Sequence, residues 1–157
     1  MGRGVRYQAD GFIPVNDVPA RRRILAATVE IVKGDVLHDN GSGLATNATT
    51  LLDSATFIGV AAADLDNNPA VSGAKVEFYP KNVNTQFRVP VASDAEIAQT
   101  AIGSKVDLEA NDDIDISDTV TTGMAFCIDA IDICDLATDA NTYGYAIGHF
   151  DLVVAES

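Results

Sequence analysis

The chain has 157 residues, of which 47% are hydrophobic and 21% charged, a length and composition that suit one folded domain with its own core and exclude an intrinsically disordered chain. Its longest apolar runs, such as 59–63 and 152–155, fall short of the roughly 18 residues a membrane-spanning helix needs, and no apolar stretch follows Arg3 and Arg6 as a secretory signal requires, so a soluble, unexported protein is expected. The formal net charge of −13 excludes nucleic acid as a partner for most of the surface, because a field of that sign repels phosphate.

Taken in chain order, residues 1–23 read as an extended basic N-terminal arm. They contain Gly2, Gly4, Gly11, Pro14 and Pro19, keep no apolar period, and end in Arg21, Arg22 and Arg23, so they are not expected to build a core of their own. Residues 1–34 carry six basic side chains against three acidic ones, whereas the remainder carries four against twenty. From Ile24 to the end, a β-rich domain is expected over 24–157. Short apolar segments, "TVEIV", "VLHD" and "TFIGVAAADL", are separated by Lys33-Gly34-Asp35, Asn40-Gly41-Ser42-Gly43 and Asp66-Asn67-Asn68-Pro69, which is turn chemistry. "AKVEFYP" and "QFRVPV" alternate apolar and polar residues as half-buried strands do, and Pro80 and Pro90 close or edge them, since proline donates no ladder hydrogen bond.

One short helix is expected at about 93–102. Ser93 and Glu96 stand at capping-box spacing, Ile97, Ala98, Ala101 and Ile102 form one apolar stripe, and Gly103 suits the left-handed position that ends a helix. The remaining segments, "KVDLEA", "DIDIS", "GMAFCIDAIDI" and "YGYAIGHFDLVVA", are again strand-like. Turns about a dozen residues apart point to an all-β fold, a compact barrel or sandwich.

The densest acidic stretch, "NDDIDISD" at 111–118, lacks the glycine and the closing glutamate of an EF-hand-type loop. "DLDNNP" at 64–69 fails the same test, with Pro69 in the glycine place. Ile114 and Ile116 alternate with Asp113, Asp115 and Ser117, which reads as a strand with one wet face. Cys127 and Cys134 are seven apart and would lie on opposite faces of a single strand, unable to pair. A zinc site of both cysteines with His38 and His149 lacks any ligand knuckle, and buried free thiols are the expectation. There is no nucleophile elbow, phosphate loop or dinucleotide fingerprint. No enzymatic activity, metal or cofactor is expected.

In order, "VEIVKGDVL", "TFIGVAAADL", "AKVEFYP", "FRVPV" and "IGSKVDL" resemble the segments of small β-rich decoration proteins of tailed-bacteriophage heads, also called cement or auxiliary capsid proteins. The resemblance covers about residues 28–110. It implies a β-barrel or β-tulip body, assembly as a homotrimer, and a place on the exterior of the virion after synthesis in the host cytoplasm. The partner it implies is the major capsid protein, gripped by the arm. Arg3, Arg6, Arg21, Arg22 and Arg23 would pair with shell carboxylates, and Phe12, Ile13, Val15 and Val18 would add apolar contacts or a strand. Neither nucleic acid nor membrane is expected as a partner. The other function open to a β-rich, non-catalytic domain is a receptor- or glycan-binding module, such as a head fibre or adhesin tip. Removal of residues 1–23 is expected to separate the two, costing a decoration protein its capsid but not its trimer.

Overall fold

The computed structural model describes residues 11–15, 21–48, 56–91, 99–121, 123–134 and 143–154. In chain order the strands are β1 (Ile13–Pro14), β2 (Arg22–Leu25), β3 (Glu30–Ile31), β4 (Val36–Asp39), β5 (Ala45–Asn47), β6 (Phe57–Ala61), β7 (Leu65–Asp66), β8 (Lys75–Pro80), β9 (Phe87–Pro90), β10 (Lys105–Ala110), β11 (Asp113–Thr119), β12 (Gly123–Cys134) and β13 (Tyr143–Val154). The fold is all-β, as the sequence predicts. A six-stranded sheet runs β1-β9-β13-β12-β10-β11, a five-stranded sheet runs β2-β8-β6-β4-β5, and β3 pairs with β7. Every ladder is antiparallel. Both larger sheets curl back on themselves. A single bridge joins Ala26, just past β2, to Ala45 of β5, and another joins Val91, just past β9, to Ile114 of β11.

Alternation along the strands decides what is buried. Phe87 and Val89 of β9, Val106 and Leu108 of β10, Ile114 of β11, and Phe126 and Phe150 of β12 and β13 turn inward from the six-stranded sheet. Val36, Phe57, Val60 and Tyr79 meet them from the five-stranded sheet. The opposite face of that second sheet is covered too: Leu37, Ala61, Val76 and Phe78 pack with Ile31, Ala26 and Ala45 in a separate cluster. This explains why "FIGVA" is a nearly continuous apolar run instead of an alternating one, as strands buried on both faces require.

At the centre of the main core lies a knot of phenylalanine rings. Phe150 packs against Phe12, Phe57, Phe87 and Phe126 at centroid separations of 5.2, 4.8, 5.5 and 5.3 Å, within the range favoured by tilted and edge-on aromatic pairs. Phe12 also meets Phe126 at 5.3 Å and Phe87 at 6.2 Å. It is 1% exposed.

Phe12 corrects the expected boundary between arm and body. Residues 11–15 belong to the body: Ile13 and Pro14 pair with Arg88 and Phe87, and the Phe12 and Val15 N–H groups donate to Gly34 O and Gln86 O, both at 2.9 Å. Gly11 makes the entry possible. It sits at φ +71, and a Cβ there would stand 2.7 Å from Gly34 Cα, so only glycine lets the two backbones approach this closely. Arg22 and Arg23 lie in β2, not before the body. Sequence reasoning missed this because a lone buried phenylalanine among glycines and prolines has no periodicity to betray it.

One further expectation is modified. The apolar segment "TFIGVAAADL" holds β6 and the start of β7: the chain bends at Ala62 and Ala63 between them, and the Asp64 carboxylate accepts from the Lys33 N–H at 2.7 Å. Of the expected helix at 93–102, residues 93–98 lie outside the described residues, and Gln99–Ala101 form a 3-10 turn. Ala101 packs on the core, but Ile102 is 44% exposed. Gly103 then takes φ +93, as expected of the residue ending such a turn.

Candidate functional site

β2 is where the arginine triplet meets the fold. It is an edge of the five-stranded sheet, paired on one side only among the described residues, with Arg22 opposite Phe78, Arg23 opposite Glu77, Ile24 opposite Val76 and Leu25 opposite Lys75. Ile24 leans on the second apolar cluster and fixes the strand in register. Arg21, Arg22, Arg23 and Leu25 are all exposed. Arg21 is held in place: its guanidinium donates to Glu77 Oε1 at 3.4 Å and to Tyr79 Oη at 3.3 Å, and stands 5.4 Å from the Tyr79 ring centroid. Arg22 and Arg23 make no ion pair among the described residues. Two cations therefore project from a sheet edge on a chain whose charge is otherwise strongly negative.

The acidic groups converge elsewhere. Asp35 is 2% exposed and accepts hydrogen bonds from the Val32 N–H at 2.9 Å and the Asn47 amide at 3.2 Å. Burial raises its carboxyl above the usual range, those hydrogen bonds oppose the rise, and Asp112 and Asp64 add to it. Asp112 is raised by burial as well. Asp113 is pushed up to about 6, first by burial and then by the charge of Asp112. Asp115 goes the other way, because the hydroxyl and N–H of Ser117 both donate to it, at 2.6 and 2.9 Å. The expected alternation is present, with Ile114 buried and Ile116 packed against the core. The face opposite is nevertheless only half wet, since Asp113 Oδ1 is buried there without a partner. No group of three His, Cys, Asp or Glu among the described residues is arranged to hold a metal ion.

The outer face of the six-stranded sheet carries the remaining polar chemistry. Asp129 accepts from Gln86 at 3.1 Å and lies 2.8 Å from His149 Nδ1. Asp151 accepts from Lys105 at 3.2 Å and from the Cys127 thiol at 3.8 Å. Arg88 stacks over Tyr145, 4.0 Å from its centroid. Cys127 and His149 are cross-strand neighbours, yet they do not form a nucleophile and base: burial and then the Asp151 charge push the thiol up to about 11, so at neutral pH it is not a thiolate. Cys127 is buried, as expected, while the Cys134 side chain lies outside what the structure describes. His38 is on β4 of the other large sheet.

Of the residues expected to hold a partner, Arg22 and Arg23 lie on β2 with Arg21 just before it, all three exposed, and Val15 is 45% exposed. Ile13 is half-buried in β1. Phe12 is enclosed in the chain's own core and cannot contact a partner. Arg3, Arg6 and Val18 lie outside the described residues. The edge position of β2 was beyond sequence reasoning, because an arginine triplet reads as a tail until a pairing partner, β8, is known. Comparison with known proteins gives no matching family model and no matching curated relative.

Proposed function

We propose that the chain is a structural virion protein that binds the outer surface of a phage capsid as a homotrimer and stabilises the shell at joints between capsomers. The observation that carries this reading is the exposed arginine edge, Arg21 to Arg23, on a body of opposite charge. A cationic strand grips carboxylates of the major capsid protein while the acidic surface stays solvated and repels other particles and DNA. Threefold attachment turns a modest contact into a lasting one, because each bound subunit raises the effective concentration at the next. The role needs no catalysis, cofactor, nucleic acid or membrane.

Since residues 11–15 belong to the body, the informative truncation removes residues 1–10, not 1–23. Sedimentation with purified expanded capsids is the test. The wild type is expected to pellet with the shells, the Arg22→Glu/Arg23→Glu variant is expected to remain in the supernatant, and both are expected to be trimeric by analytical ultracentrifugation. A monomeric wild type, or one that ignores the shells but binds host-cell glycans, overturns the assignment in favour of a receptor- or glycan-binding module.

A further inference from the structure

An antiparallel strand turns alternate backbone groups to opposite sides, so one hydrogen bond sets the phase of the rest. In β2 that bond is from the Ala26 N–H to Ala74 O, at 3.0 Å. Ile24 and Arg22, in the same phase, bond across to Val76 and Phe78 of β8, and the N–H and C=O groups of Arg23 and Leu25 point away from the sheet. The next outward N–H, that of Ala27, is taken by Ala45 O at 2.8 Å. For the outward groups of Arg23 and Leu25 there is no backbone partner among the described residues.

The other described edges of the two larger sheets are blunted. β1 is two residues long and contains Pro14. β11 shifts register against β10, and its Ser117 N–H is capped by the Asp115 carboxylate. β5 meets Ala26 and Ala27 at Ala45. On β2 the guard is charge alone, and charge is selective. Arginines repel a basic strand or a second copy of β2, and admit one that brings carboxylates. Because Ile24 and Leu25 follow the arginines, the fitting strand has carboxylates at one end and apolar residues at the other.

We infer that β2 is an acceptor edge for an extended segment of another protein, acidic at one end and apolar at the other, which joins the five-stranded sheet beside Arg23 and Leu25. The inference rests on this edge and not on the capsid reading; it holds whether the partner is a shell subunit or another protein.

The test uses the full chain and a blocked peptide whose first half is valine and threonine and whose second half is aspartate, the order an antiparallel partner needs. A control peptide has lysine for aspartate. The aspartate peptide is expected to bind, more weakly at high salt, and to slow hydrogen exchange at the Arg23 and Leu25 amides, while the lysine peptide does not. Arg23→Pro removes an outward N–H that the β2–β8 ladder does not use, and is expected to abolish binding with the fold kept. Arg22→Glu/Arg23→Glu leaves the backbone intact and is expected to weaken the aspartate peptide by about tenfold or more and to admit the lysine peptide. The inference is overturned if the aspartate peptide does not bind, if it binds without protecting those amides, if the charge-reversed variant binds it as the wild type does, or if a single-stranded oligonucleotide displaces it.

Discussion

Replacing Phe12 with alanine tests whether the N-terminal residues are an appendage or part of the core. The ring is 1% exposed and lies against Phe87, Phe126 and Phe150. Truncating a phenylalanine so enclosed costs about 3–5 kcal/mol, the lost transfer energy plus a cavity that its neighbours fill only in part. For a domain whose total stability is about 5–15 kcal/mol, that is a fifth or more of the whole, and it lowers the melting temperature by roughly 6–20 °C. Phe12→Leu keeps most of the volume and is expected to cost about 1–2 kcal/mol. Deleting residues 1–10 leaves the ring in place and is expected to shift the transition little, whereas deleting 1–23 removes Phe12, β1 and half of β2 and is expected to unfold the chain. Differential scanning calorimetry of the four variants orders them. If Phe12→Ala melts within a degree or two of the wild type, or the 1–23 deletion folds, the ring is not a core element and the revised boundary is wrong.

The Asp113 carboxyl, raised to about 6 from 3.8, binds a proton more tightly in the folded chain than in the unfolded one. Stability is therefore expected to rise as pH falls from about 7 towards 4, by about 1 kcal/mol after allowing for solvent screening, and Asp113→Asn is expected to flatten that part of the urea-midpoint profile. Asp35 and Asp112 push in the same direction and Asp115 against it. In a Cys134→Ser background, the Cys127 thiol, pushed up to about 11, is expected to react with a thiol reagent at neutral pH far more slowly than after unfolding; equal rates would contradict its burial. The Asn67 amide donates to Ala27 O at 2.9 Å, and its oxygen accepts from the Val71 N–H at 2.8 Å, so Asn67→Ala strands buried polar groups and is expected to cost about 2–3 kcal/mol in denaturant titrations. Gly148 faces the Cys127 carbonyl and the Phe126 ring so closely that a methyl group would collide with both. Gly148→Ala is expected to force β12 from β13 and cost about 1–3 kcal/mol, visible as a lower melting temperature.

By itself the sequence determined the class of fold, because strand periodicity and turn chemistry are local. "AKVEFYP" and "KVDLEA" carry their buried faces in the order of their residues, and Asn40-Gly41-Ser42-Gly43 announces its turn through side chains that cap it, Asp39 and Asn40 among them. The alternation of "DIDIS", with Ile114 turned inward, was legible for the same reason, but the burial of Asp113 Oδ1 on its opposite face was not. What only tertiary structure decided is every pairing distant in the chain. Nothing near Phe12 reveals that Gly34, Phe87 and Phe150 wait for it, and nothing near Arg23 reveals that β8 takes one side of its strand and that no described strand takes the other. Both depend on contacts between residues many positions apart, whose energy is gained only after the chain has closed the loops between them. The arginines were visible from the start as a cluster of charge. Their meaning changed from tail to sheet edge once the partner strand was placed.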